Sequence, residues 1–396
     1  MKTLKFLSLF LIITLLGCTE ENYYTTTQGL GKVNVYIEGN ITNTEAQAQL
    51  EEEIGTLTEN IYVQNTTQLT DVTINFSNNI RDIIVKNNPN LKNITLQGSN
   101  NTINEFQIYD GHYLNNITIK GIVEANAIYL GSMASNYNLS EHIDIECYDL
   151  VTVHGDLRLF IGQYNDPISN KLNFYDLKFV NKTIRNSNSA CRWQGNYSEF
   201  NMPQLEEVYA LEHFVHALNI NYPKLKKAGG LSIGYGPSNQ VVSFPLLDEI
   251  TGGISFYQNP TNSTFDFPLL DNCGGIYLEG TNCNFNFPIL QEIVNLSVST
   301  SQSTINFPIL HKIYNRLDTT SLSFTVLNLT SLNYCVEYWH YGIDLSSSTV
   351  NMVLNKFLTF QPSSGKYLNI QGEQPTGQGI TDKQTLVDQG NSVLIY

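Results

Sequence analysis

His142, Asp144 and Glu146 alternate with Ile143 and Ile145, so the three would project from one face of a single strand. His154 and Asp156 follow where an adjacent coil would place them. Hard cations want several oxygen ligands, so Ca²⁺ binding or the orientation of a sugar is the chemistry such a group offers. A solvated outer face accounts for the same residues more simply and is the preferred reading. Glu212, His213 and His216 have the spacing of metal ligands on a helix. Phe214 and Val215 between them fit a strand and turn instead, so no metal and no cofactor are expected. Aromatic side chains give the better lead. Tyr235, Tyr257 and Tyr277 recur at similar places in a repeating pattern, and Tyr334, Tyr338, Trp339 and Tyr341 surround His340. Flat rings with polar tips suit sugar stacking and protein hot spots alike. Tyr235, Tyr257 and Tyr277 are the candidate ligand-binding residues, and Trp339 with its neighbours is expected to pack beneath a terminal cap.

The elements that must carry these residues are repeats. Met202-Pro203-Gln204-Leu205, Tyr222-Pro223-Lys224-Leu225, Phe244-Pro245-Leu246-Leu247, Phe267-Pro268-Leu269-Leu270, Phe287-Pro288-Ile289-Leu290 and Phe307-Pro308-Ile309-Leu310 recur every ~20 to 23 residues. That is the period of stacked solenoid coils, each touching only its neighbours. Proline fixes φ and lacks an N–H, so it belongs at a corner. Five residues after it stand Val208, Ala228, Ile250, Cys273, Ile293 and Ile313. A short strand follows, as in Ile254-Ser255-Phe256 and Ile276-Tyr277-Leu278, with Ile254 and Phe256 inward and Ser255 and Tyr257 outward. Gly229-Gly230, Gly252-Gly253 and Gly274-Gly275 precede these strands, where a tight turn at positive φ is expected. The ladders Phe244/Phe267/Phe287/Phe307 and Leu247/Leu270/Leu290/Leu310 are the expected core.

Upstream, strand-like runs at Ile61-Tyr62-Val63, Ile83-Ile84-Val85, Phe106-Gln107-Ile108 and Ile128-Tyr129-Leu130 keep a spacing of ~20 residues. One continuous solenoid is expected, with irregular coils over 61–200 and regular ones over 201–332. Two lobes meeting at a linker over 185–201 remain open. A cap over 33–60 reads as a strand followed by a helix over 44–57 with Thr44 as N-cap. A second cap over 333–396 reads as helix (348–357), strand (366–370), helix (381–389) and strand (393–396). The fold class is therefore mainly β: a solenoid with small helical caps at both ends.

Lys2 and Lys5 precede an apolar run from Phe6 to Leu16, too short to span a bilayer and suited to a signal-peptide core over 1–17. Leu15-Leu16-Gly17-Cys18 resembles a bacterial lipobox, which implies lipidation of Cys18 and a polar tether over 18–32. The absence of Asp after Cys18 resembles outer-membrane sorting, and Glu20-Glu21 resembles a surface-export tag. Membrane association through a lipid anchor needs no transmembrane helix.

A formal net charge of -15 leaves no basic footprint for phosphates, so no nucleic-acid partner is expected. Asn-x-Ser/Thr triplets such as Asn40-Ile41-Thr42 and Asn262-Ser263-Thr264 read as turn chemistry. Cys147, Cys191, Cys273, Cys283 and Cys335 show no CxxC pairing. Cys273 stands where other coils carry Ile, and Cys283 where they carry Ser263 and Ser303, so buried free thiols are favoured over disulfides.

Taken together, the Phe-Pro-x-Leu coils and Gly-Gly-Ile strands resemble the leucine-rich-repeat-like coils of receptor L-domains and of bacterial leucine-rich-repeat surface lipoproteins. The stretch from Val350 through Tyr367-Leu368-Asn369-Ile370 to Asn391 is similar to the carboxy-terminal caps of those lipoproteins. The resemblance implies a right-handed β-solenoid at the cell surface that binds an extracellular protein or glycan, with no catalytic residues. The asparagine ladder of ordinary leucine-rich repeats is not evident. Two other function classes are weighed: a glycan-capture accessory of an outer-membrane uptake system, and a β-helix polysaccharide-degrading enzyme whose carboxylates would come from Asp144 and Glu146.

Overall fold

A computed structural model describes residues 29–77, 79–109, 114–131, 143–161, 170–180, 191–216, 219–234, 237–257, 260–320 and 329–396. The chain is a mainly-β solenoid of about 14 turns, with three helices among the described residues. Among the described residues one sheet holds 23 strands and a second holds five short ones, Asn219–Asn221, Val241–Ser243, Thr264–Asp266, Asn284–Asn286 and Thr304–Asn306. Neighbouring strands pair in parallel from Asn34–Gly39 at one end to Ser392–Ile395 at the other. The strand Cys191–Asn201 pairs with Leu157–Ile161 and Asn170–Phe174 on one side and with Leu211–His216 on the other. The expected linker is therefore corrected over 191–201, which is a strand inside one continuous sheet; 185–190 lie outside the described residues.

A regular coil has three sides. Asn284–Asn286 forms one, and the bent strand Glu292–Ser301 supplies the other two, the first side before its bend and the second side after it. The corner between Asn284–Asn286 and the first side is Phe287-Pro288-Ile289-Leu290; at the same corner of the preceding coil the Leu270 N–H turns back 3.4 Å to the Phe267 carbonyl. Proline at the second place of such a turn has its φ already set. The rings ahead of the prolines then fall on one another. Tyr222, Phe244, Phe267, Phe287 and Phe307 form a continuous stack with centroids 4.9–5.2 Å apart. Burial of each such side chain is worth about 1.5–3 kcal/mol, and only the neighbouring coils provide it.

Cysteines keep the register that repeat alignment implies. Ile250, Cys273, Ile293, Ile313 and Cys335 are successive partners in the ladder. Cys283 points its thiol at the Pro260 and Thr281 carbonyls, as the Ser263 and Ser303 hydroxyls point at Thr261 and Ser301. Cys147, Cys273, Cys283 and Cys335 are all buried free thiols. Burial pushes the Cys273 and Cys335 thiols up to about 12, which makes them inert packing groups at neutral pH.

Positive φ falls at a different corner from the one expected. Asn65, Asn87, Asn239, Asn262, Asn282 and Gln302 adopt it, at the exit of the second side. The Gly-Gly pairs do not, and their reason is close approach. A Cβ on Gly252 would strike the Gly229 carbonyl oxygen, and one on Gly274 would strike that of Gly252. Asparagine ladders, not evident in the sequence, line the outer corners and sides. Asn282 Nδ2 donates to Asn262 Oδ1 at 2.7 Å, and Asn306 to Asn286 at 2.7 Å.

Helices sit at the ends. The first helix, α1 (Asn43–Glu53), begins one residue after Thr42 rather than at Thr44, because Glu45 stands three places on and closes a capping box. It stops at Glu53, short of the expected Leu57, where Ile54 turns extended. At the other end, α2 (Ser347–Leu358) and α3 (Gln378–Asp388) pack together beside the strands Tyr367–Gly372 and Ser392–Ile395. Buried Lys366 donates from Nζ to the Phe357 and Phe360 carbonyls at 2.7 and 2.9 Å, tying the end of α2 and the residues after it to the strand that Lys366 precedes. Among the described residues no helix is long and apolar enough to cross a membrane.

Candidate functional site

Parallel register converts the repeats into straight rows of outward side chains. On the second side, successive partners are Ser232, Ser255, Tyr277, Ser297, Asp318, Trp339, Asn369 and Leu394. Their neighbours on the strand, Ile254, Ile276, Leu296, Leu317, Tyr338 and Leu368, are buried. The row exists because the pleat alternates and the strands do not slip.

Two aromatic groups bound the middle of this row. Tyr257 is 41% exposed and pairs with Gly234, so it stands two residues further along its strand than the row of Tyr277. The expected alignment of Tyr257 with Tyr277 is corrected to a diagonal contact with ring centroids 6.0 Å apart. Tyr277 is half-buried and its hydroxyl donates to Glu279 Oε2 at 3.3 Å. Burial, reinforced by that carboxylate, raises its pKa. Tyr235 lies outside the described residues.

The second group comes from the strand Tyr334–Leu345, and the structure divides the expected cluster between two faces. Tyr338 and His340 point inward and are buried, Tyr338 against Phe357 of α2. His340 Nε2 donates to the Ile343 carbonyl at 2.7 Å, so Nδ1 accepts from the Thr319 hydroxyl at 2.8 Å. Trp339 and Tyr341 point outward, which corrects the reading that places Trp339 beneath the cap. Trp339 packs against Tyr367 at 5.5 Å, lies 5.5 Å from the Arg316 guanidinium and donates from Nε1 to Glu337 Oε2 at 3.3 Å. Tyr341 is 45% exposed.

Between the two aromatic groups the floor consists of short polar side chains. Ser297 and Ser299 are half-buried, and Asp318 is nearly covered. Arg316 Nε donates to Asp318 Oδ2 at 2.9 Å. Burial raises the Asp318 pKa and the guanidinium opposes it. On the adjoining first side, Lys312 lies 4.0 Å from the Tyr314 ring centroid and 4.9 Å from that of Tyr334. At the bend between the first and second sides two cavities open. One of about 640 Å³ is lined by Thr56, Asn79, Arg81, Asn104 and Asn126, and one of about 310 Å³ by Glu207, Tyr209, Lys227 and Glu249.

The polar clusters read from sequence do not converge. Asp144 pairs with Lys171 at 3.4 Å, and Glu146 accepts from the Tyr148 hydroxyl at 2.6 Å. His154 and Asp156 belong to the same coil, where His154 Nε2 is 3.1 Å from Glu124 and Asp156 holds Arg158 at 2.6 Å. His142 lies outside the described residues. His213 is wholly buried, 2.8 Å from the Tyr222 hydroxyl through Nδ1, and its burial lowers the pKa to about 3. Among the described residues no group of three or more His, Cys, Asp or Glu is placed to hold a metal ion.

Arg316 and Asp318 escape sequence reading for a definable reason. Three residues separate Ile313 from Leu317, whereas two separate Ile293 from Leu296. The extra residue is absorbed at the bend, and the hydrogen-bonded register still sets Asp318 beside Ser297. A search for the next buried aliphatic after the bend would have found it. Compared with known proteins, the chain matches no family model, no curated protein and no solved structure.

Proposed function

We propose that this protein is a non-catalytic cell-surface lipoprotein that binds an extracellular protein or glycan through the outward face of its solenoid. The observation that carries this reading is the unbroken outward row, with exposed aromatic rings at Tyr257 and Tyr341 and half-buried ones at Tyr277 and Trp339. A surface of this kind presents many weak contacts at once and excludes water where the rings meet a partner. The coil belongs, in this reading, to the right-handed leucine-rich-repeat and receptor L-domain type. Cys18 carries the lipid and the polar tether over 18–32 holds the solenoid off the outer membrane.

The experiment is protease shaving of intact cells, read by antibodies against the solenoid, with Cys18→Ala alongside. Digestion of the chain while a periplasmic marker survives, and release of the Cys18→Ala protein from membranes, is the expected result. Protection until the outer membrane is broken overturns the surface location. Membrane retention of Cys18→Ala overturns the anchor.

A further inference from the structure

We propose that the shelf between Tyr277 and Trp339 is a binding site for a neutral glycan, lying across the coils with sugar faces on the rings at either end. This rests on the reading of the protein as a surface binder and names its ligand class. Tyr277, Ser297, Asp318 and Trp339 occupy one row of the ladder. Three strand spacings of about 4.8 Å separate the end members, roughly 14 Å in all, enough for a short run of sugar rings. Ser297, next to Tyr277 in the row, carries a short side chain, while Arg316 lies over Asp318 at 2.9 Å with its guanidinium 5.5 Å from the Trp339 ring, so the far wall is a tryptophan–guanidinium pair. Tyr257 extends one wall through its 6.0 Å contact with Tyr277, and exposed Tyr341 extends the other along the strand of Trp339.

The chemistry of the floor selects the ligand. Sugar hydroxyls both donate and accept, and the shelf offers the half-buried Ser297 hydroxyl and the partly exposed Arg316 guanidinium as partners, with Asp318 nearly covered beneath it. Asp318, Glu337 and Glu279 place negative charge around the shelf. The nearest cations are engaged, Arg316 with Asp318 and Lys312 between the rings of Tyr314 and Tyr334. With a chain charge of -15, a polyanion such as a uronate or sulfated polysaccharide is repelled, while an uncharged polyhydroxyl is not. Aromatic faces that meet the apolar faces of pyranose rings supply the water-excluding contact.

The test is affinity electrophoresis of the full chain through gels containing β-glucan, xylan, mannan or starch, with polygalacturonate and heparin as acidic probes. Retardation by at least one neutral polysaccharide and by neither acidic one is expected. Tyr277→Ala and Ser297→Trp should each weaken that retardation tenfold or more, whereas Tyr209→Ala at the bend should leave it unchanged. Ser297→Trp is the safer variant for folding, since it fills the shelf from an outward position without removing either wall. Retardation by the acidic probes alone overturns the proposal, as does full retardation of both shelf variants with unchanged thermal unfolding. Failure of every neutral probe overturns the glycan class; shaving of the same protein from intact cells would show that the surface-binder reading survives that failure.

Discussion

His213 shows how burial alone can set a residue's behaviour. Its ring lies between Phe200 and Tyr222, Nδ1 meets the Tyr222 hydroxyl, and Nε2 has no hydrogen-bond partner among the described residues. A charged imidazole has nothing there to replace water, so its pKa falls from 6.5 to about 3. Below pH 6.5 the unfolded chain therefore binds a proton that the native state refuses. Stability from this group is complete above that pH and declines as pH falls toward the folded value, by about 1.4 kcal/mol per unit. His213→Gln removes the titration. Its denaturation profile should lose about 3 kcal/mol less than the parent between pH 7 and pH 4, whatever it loses at pH 7. Parallel profiles for the two proteins would sink the assignment. The helical metal spacing of Glu212, His213 and His216 gave no warning of this, because the segment is a strand whose pleat turns His213 inward.

At the scale of the element, the Phe-Pro-x-Leu corner does most to hold the coils together. Phe267 is fully buried, stacked 5.0 Å from Phe244 and 4.9 Å from Phe287, with Phe256 edge-on at 6.4 Å. Phe267→Ala leaves a void that two neighbouring rings cannot both fill, and should destabilise the protein by about 3–5 kcal/mol. Thermal unfolding at an unchanged temperature would show that the stack contributes nothing. This corner was legible because proline and an aromatic ring at a constant period admit few placements. The positions of Cys273 and Cys283 were legible for the same reason, as substitutions inside a fixed register. The turn chemistry was less so: asparagine takes the positive φ and glycine the tight coil-to-coil approach, and both residues suit both tasks by composition. The site was half legible. Tyr257 and Tyr277 announce themselves as outward residues of a short strand, but their diagonal relation depends on register. Arg316 and Asp318 are displaced by the extra residue at the bend, and Trp339 is turned outward by alternation with Tyr338, whose inward ring meets Phe357 of the helix that follows.

For the whole molecule, an open parallel solenoid has a problem that its middle coils do not share: each end presents an unpaired strand edge and a cross-section of the core. At the amino end α1 buries Ala46 and Leu50 beside the strands Asn34–Gly39 and Asp71–Asn75. At the carboxy end the closure is a linked assembly. Strand Ser392–Ile395 pairs with Tyr367–Ile370, α3 packs on α2, and Asn391 joins them by accepting from the Lys366 N–H and donating to the Ser363 and Leu386 carbonyls. The final strand is only four residues long, which limits the edge it leaves for another chain. Deleting Gln374–Tyr396 removes α3 and that strand together. It uncovers the edge of Tyr367–Gly372, strips one side of α2 and leaves the Lys366 N–H without its acceptor. The truncated chain should aggregate or fail to accumulate, and light scattering of the purified protein is the direct measurement. A monomeric truncated chain with the parent's unfolding temperature would show that the solenoid closes itself without this cap, and that the carboxy-terminal helices serve some purpose other than covering the core.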